Sequence, residues 1–427
     1  MTLDSALYIG VSGLDATSNA IDIVGDNIAN SSTIGFKSER ADFADILGGQ
    51  IGNVQLDGGA TLDTAQTIFT QGQLQTTGNP LDLAIQGGGM FEVSGQNDGA
   101  QGTFYTRDGE FSMDNSGYVV NPDGLRLQGY TIDANGNRSS SVGDLDLGGQ
   151  QSPAVATTKA SMTLNLDSSD TTPTVTPFDP TNSASYNYQT SITAYDSKGN
   201  AHAVQEYFVD NGGGSWTVHS MVDGGQLTGG TAGTMTAIGT TQLQFNTAGA
   251  LQSQSGGITA SFLNATPNQS IALSFGDDIA SGGTGLAGTT DFASADTVNG
   301  VNVDGRAAGT LTGVSVGSDG KITATFDNGQ TAVVAQVALA QFTNEAGLQR
   351  SGNNLYTASA ASGPALVDAP GTGARGGIEA GALESSNVDL SNELVTLIAY
   401  QRAYEANSKT ITTADDMLET AVNMKQT

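Results

Sequence analysis

Two histidines, His202 and His219, are all that this chain offers for imidazole chemistry, and it has no cysteine. Strand-like sequence separates them, and neither belongs to an HExxH motif or a paired-ligand spacing, so a histidine-based metal site is not expected. Gly87-Gly88-Gly89 is followed by Met90 and Phe91 rather than by Gly-Lys-Ser/Thr, so it reads as a tight turn between strands and not as a phosphate loop. Asp133-Ala134-Asn135-Gly136-Asn137 imitates the opening of a calcium loop. It lacks the glycine and the bidentate glutamate that such a loop needs further on, which leaves a hairpin turn. The abundant carboxylates could supply a glycosidase pair, but no spacing singles one out, and a solvated acidic surface is the default. Trp216 reads as packing inside a β-domain. No catalytic residue, cofactor or metal is expected.

The scaffold that carries these residues is acidic and poor in charge. Acidic residues outnumber basic ones 43 to 14, for a formal charge of −29, which argues against nucleic acid and anionic membranes as partners. Charged residues are only 13% of the chain, so Ser, Thr, Asn, Gln and Gly must form most of the polar surface. The 58 glycines follow no three-residue period, which excludes collagen. Many stand in Asp-Gly and Asn-Gly pairs, the chemistry of tight β-turns. Disulfides and thiolate metal sites are excluded. No stretch approaches the roughly 20 apolar residues of a membrane span, so no membrane insertion is expected. The opening MTLDSALYIGVSGL has no basic region, continuous apolar core or small-residue cleavage site, so a cleaved secretory signal is not expected either.

The ends of the chain differ from its middle. Leu390, Leu397, Tyr404, Ile411 and Leu418 recur every seven residues, with Leu394 and Val422 on a second position. That is a narrow apolar seam on an otherwise polar helix, the pattern of a helix that needs another helix. At the other end Leu7, Leu14, Ile21 and Ile28 repeat with the same period, and Val11 and Val24 widen the stripe. Gly10, Gly13 and Gly25 each cost that helix about 1 kcal/mol relative to alanine, so it is not expected to stand alone. Between the ends, short β-branched and aromatic runs closed by turn dipeptides read as antiparallel strands.

The expected fold is mixed and mainly β: two β-rich domains, one inserted in the other and meander- or barrel-like, flanked by terminal helices that pair in a coiled-coil-like domain. Residues 1–30 and 387–427 form the helical domain, and 31–70 and 358–386 a connector with a brief helical turn near Phe43–Leu47. Residues 71–147 and 298–357 form an inner β-domain, 150–278 an inserted outer one, and 279–297 a linker. Asn27, Asn30, Gly35 and Phe36 stand where the first helix stops. Asn30 and Gly35 suit a chain turn and Phe36 a local anchor, and together they are candidates for a connector that bends.

The run SGLDATSNAIDIVGDNIANSSTIGFKSERADF resembles the signature that opens the bacterial flagellar rod, hook and hook-associated axial proteins. GALESSNVDLSNELVTLIAYQRAYEANSKTITTADDMLETAVNMK is similar to the matching end of that family, and TGNPLDLAIQGGGMFEV and FYTRDGEFSMDNSGYVVNPDGLRLQGY to its shared β-core. The segment ASMTLNLDSSDTTPTVTPFDPTNSASYNYQTSITAYDSKGNAHAVQEYFV resembles the insert of the hook branch in particular, with distal rod and hook–filament junction proteins the nearest alternatives. The resemblance implies a homopolymer in which terminal helices build a tube and β-domains its outer layers. It also implies that the tube is a curved universal joint transmitting torque from rod to filament. Implied partners are further copies of the chain, the distal rod protein, the hook cap protein, the hook–filament junction protein and the flagellar type III export apparatus. The implied location is extracellular, in the flagellum. From another class, a secreted acidic β-rich hydrolase or adhesin would need neither terminus.

Overall fold

A computed structural model describes residues 3–51 and 54–424. Helix α1 (Leu3–Ala29) opens the chain and helix α2 (Leu390–Met424) closes it. Asp389 starts α2, accepting from the backbone N–H groups of Ser391 at 2.9 Å and Asn392 at 3.2 Å, two donors that a helix start leaves orphaned. At the end of α1 the Asn30 side chain donates back to the Asp26 carbonyl at 2.9 Å. Gly35 then takes a left-handed backbone, φ 67°, which turns the chain.

The connector after α1 contains no helical turn near Phe43. It is an antiparallel hairpin of β1 (Glu39–Ile51) and β2 (Val54–Thr67), beginning with the pair Glu39–Thr67. Register shifts at Asp42/Phe43, Asp45/Leu47 and Leu47/Gln50 interrupt it, and each shift breaks the two-residue alternation by which a strand is recognised.

The chain divides into two compact units: residues 1–150, 313–325 and 331–427, and residues 151–312 with 326–330. In the first unit, besides the helices and hairpin, a sheet runs in the order 321–326, 331–337, 126–131, 90–97, 100–106, 355–357, 349–350. Phe91, Val93, Phe104, Phe111, Leu127 and Val337 lie in its core, with Phe91 and Phe111 edge to face at 5.2 Å. Residues 358–386, expected as a connector, carry three further strands. Leu366–Asp368 pairs with Leu339–Gln341, Gly377–Ala380 with Leu83–Gln86, and Ala382–Glu384 with Leu74–Thr76. Strands this short and rich in Gly and Ala leave no alternation to read.

In the second unit, five antiparallel pairings join strands 188–195, 201–210, 215–223, 235–245, 251–260 and 269–274 in succession. Strand Lys159–Asp167 then pairs in parallel with Gln269–Ser274 and Thr290–Phe292, and antiparallel with Thr297–Val303. Residues 279–303, expected as a linker and the return to the inner domain, therefore belong to this unit. Trp216, Phe208, Val218, Leu243 and Phe275 lie in its core.

Candidate assembly surface and the joint beneath it

The two helices run antiparallel. Near one end Gly10 faces Ile411 and Gly13 faces Asn407, and near the other Asn27 donates to Glu393 Oε1 at 3.3 Å. A Cβ on Gly10 would stand 2.7 Å from Ile411 Cγ1, and one on Gly13 2.6 Å from Asn407 Nδ2, so α2 approaches too closely at these glycines for a side chain to fit undisturbed. Ala16, Thr17, Ala20, Val24 and Asn27 are buried along the same face. The buried face of α1 is thus a row of small residues at three- and four-residue spacing, displaced from the Leu/Ile stripe. A helix presenting glycine and alanine lets its neighbour approach closely, because interaxial distance follows the side chains at the contact.

Val24 and Ile411, expected among the assembly residues, instead pack in this seam, while other large apolar residues are less covered. Leu7, Leu14, Ile21 and Ile28 are half-buried in the single chain, as are Leu397, Ile411 and Leu418. Val11 (46% exposed), Leu390, Leu394 and Tyr404 face solvent, as do Val395 and Ile398, which fall outside the seven-residue pattern. The side chain of Val422 lies outside the described residues. Hairpin strand β2 covers a further side of α1, where a Cβ on Gly59 would meet Ser12, and Phe43 of β1 meets Tyr400 of α2 edge to face at 6.0 Å.

Beneath the helices a polar joint ties them to the β-structure. The Asn27 amide is buried and treats Glu39 as a strand neighbour would: it donates to the Glu39 carbonyl at 2.7 Å and accepts from its N–H at 2.9 Å. Arg350 reaches Asp26 at 3.2 Å and Glu39 at 3.1 Å, with its guanidinium over the buried Phe36 ring. Asn387 accepts from the N–H of Ser38 at 2.7 Å and donates to the carbonyls of Ile68 at 2.8 Å and Thr70 at 3.2 Å. Asn27, Asn30, Gly35 and Phe36 therefore lie in one well-bonded junction.

Sequence reasoning missed the centre of this junction. Lys37, Arg107 and Glu384 form a water-sealed ion cluster, with Lys37 Nζ 2.7 Å and Arg107 Nη1 3.2 Å from the Glu384 carboxylate. Burial pulls the Lys37 ammonium below its ordinary pKa, against the opposing pull of Glu384. Such charges are scarce in this chain, but no spacing links positions so far apart.

The residues first considered for chemistry have structural partners. His202 contacts Gln226 at 2.9 Å and Asp196 at 3.2 Å and stacks on Phe262. His219 stacks on Phe178 at 4.2 Å, and burial pushes its pKa down. Asp133 closes a turn by accepting from the N–H groups of Asn135 and Asn137. Gly87 and Gly89 have φ 110° and turn the chain between strands 83–86 and 90–97.

Four flagellar families match along the chain: "Flagella basal body rod protein" over residues 7–37, "Flagellar hook protein FlgE/F/G D1 domain" over 84–153, "Flagellar basal body protein FlaE D2 domain" over 165–306, and "Flagellar basal body rod FlgEFG protein C-terminal" over 379–424. The flagellar hook protein FlgE of Escherichia coli (strain K12) is 36% identical over 429 residues, covering 97% of this chain and 98% of that protein. The chain belongs to the flagellar hook protein family. The hook proteins of Brucella suis biovar 1 (strain 1330) and Treponema pallidum (strain Nichols) are each 32% identical, covering 100% and 99% of this chain and the same shares of their own lengths. The chain is a structural subunit of the flagellar hook, and the hydrolase or adhesin reading draws no support from these matches. The hook-family D2 match ends at 306, in accord with the pairing that keeps 290–303 in the second unit.

Proposed function

We propose that copies of this hook subunit polymerise through the outward apolar faces of α1 and α2. Helix pairs line a tube, the β-rich parts surround it, and the tube serves as a curved universal joint carrying torque from rod to filament. One observation carries this reading: the helix pair seats mostly small residues on itself and leaves several of its large apolar side chains uncovered. Val395 is 68% exposed, and Leu390, Leu394, Ile398 and Val11 are close to half exposed. Uncovered apolar rows on a soluble chain mark an interaction face. Leu7, Leu14, Ile21, Ile28, Leu397, Tyr404 and Leu418 extend the face, while Asn27, Asn30, Gly35 and Phe36 hold it at a set angle to the β-structure.

The same reading supplies the partners. The distal rod protein seats the first subunits, a cap protein orders those added at the tip, and the hook–filament junction protein ends the tube. Subunits leave the cell unfolded through the flagellar type III apparatus. Wet, polar contacts between the outer faces would let rows of subunits slide as the bent tube turns. Val11→Asp and Leu394→Asp test the reading, since each charges an exposed position and should change monomer stability by no more than about 0.5 kcal/mol. Thermal unfolding should match the parent while electron microscopy after salting-out shows no tubes. Tubes of parental form from both variants would overturn the assignment.

A further inference from the structure

Glu384 gathers three stretches of chain that lie far apart in sequence. Its carboxylate accepts from Lys37 Nζ at 2.7 Å, from the backbone N–H of Gly72 at 2.8 Å and from Arg107 Nη1 at 3.2 Å. Its own carbonyl accepts from the N–H of Gly35 at 2.7 Å. Lys37 also donates to the Thr70 carbonyl, and Arg107 to that of Gly87, each at 2.8 Å. The segments cross too closely for a side chain. A Cβ on Gly35 would lie 2.4 Å from the Asp108 nitrogen, and one on Gly72 2.0 Å from the Ser385 carbonyl oxygen.

The charges make this crossing conditional. Lys37 and Arg107 are both sealed from water and share Glu384, which follows them by 347 and 277 residues. A buried cation without a counter-charge is among the most costly groups a fold can hold. A chain made from its N-terminus therefore carries both cations without this anion until residue 384 has joined. Backbone pairing does not replace it, because the ladder of Ala382–Glu384 with Leu74–Thr76 uses main-chain groups that any residue at 384 would supply.

We propose that Glu384 is a closing pin. It fixes residues 35–38, the stem of α1, onto the inner β-domain, so that the helix pair takes its assembly geometry only once the C-terminal segment is in place. Without the carboxylate, Lys37 and Arg107 seek water and residues 35–38 lift away from residues 107–108. Asn27 then loses its fixed partner Glu39. The inference rests on the reading of α1 and α2 as assembly helices, and its test keeps the two apart.

The variant is Glu384→Gln in the full chain, which keeps the shape and the acceptor oxygen but removes the charge. Amide exchange at Gly35, Ser38 and Glu39 should rise about a hundredfold or more, while residues 90–106 change by less than about threefold. Polymerisation should slow at least about tenfold. Lys37→Met combined with Glu384→Gln returns the buried site to its native net charge and should regain most of the lost protection. Parental exchange in Glu384→Gln overturns the pin, and so does a double variant no better protected than the single one. Should Glu384→Gln fail to fold, recovered folding in the double variant supports the pin and continued misfolding overturns it. Loosened exchange with unaltered polymerisation would overturn the pin's control of assembly, whereas parental tubes from Val11→Asp and Leu394→Asp would overturn the assembly reading of the helices and leave the local pin standing.

Discussion

Glu206 makes the second unit's stability depend on pH in a direction opposite to that of most carboxylates. It stands on the inner face of strand Ala201–Asp210 between Val204 and Phe208, and all three are fully buried. Ser220 Oγ donates to Glu206 Oε2 at 2.6 Å, while Oε1 has no hydrogen-bond partner among the described residues. Burial pushes the Glu206 pKa up to about 8 from an ordinary 4.5, with the Ser220 bond pulling the other way. The native state thus holds a proton that the unfolded chain releases. Its contribution is complete below about pH 4.5 and is lost as pH rises through about 8. The slope is about 1.4 kcal/mol per pH unit inside that window, or roughly 4 kcal/mol between about pH 5 and 9. Glu206→Gln keeps the shape without the proton, so its stability advantage over the parent should grow by that amount across the range. Trp216, the sole tryptophan, lies in the same core, so urea unfolding followed by its fluorescence reads this unit directly. Parallel pH dependences for parent and variant would refute the buried-acid argument.

Asp196 has the opposite sign. Burial works against its charge, but hydrogen bonds from the Asn200 side chain and backbone, His202 and Lys198 outweigh it and hold the pKa down at about 2. That contribution, about 2 kcal/mol, is present above about pH 4 and lost as pH falls through about 2. Asp196→Ala should lose it at neutral pH, read again by Trp216, and an unchanged urea midpoint would contradict the role. Removing residues 151–312 should leave the helices and inner sheet folded, because Gln151 pairs with Thr310 and a short linker can close the gap. Removing only 150–278 strands Thr297–Val303 without Lys159–Asp167 and should aggregate in size-exclusion chromatography. Equal behaviour of the two deletions would contradict the assignment of 279–303 to the second unit.

The period of the terminal helices and the turn dipeptides were legible in the sequence, because each depends on residues near one another along the chain. Heptads at Leu7–Ile28 and Leu390–Leu418 announce helices in need of partners wherever they end up. What they cannot announce is which face meets which helix. The row Gly10, Gly13, Thr17, Ala20, Val24, Asn27 reads as weak helix by propensity and becomes a close-packed seam only once Asn407 and Ile411 lie against it. The β1–β2 hairpin stayed hidden because its bulges erase alternation, and the strands at 290–303 because their partner lies more than a hundred residues earlier. The joint is the extreme case. Lys37, Arg107 and Glu384 carry no mutual spacing, and burial alone turns three ordinary surface-type residues into a unit whose charges are worth holding together. Local periodicity was thus written in the sequence itself. The pairing of distant charges and the choice of helix face were decided by the tertiary structure, since both depend on which surfaces lose water together.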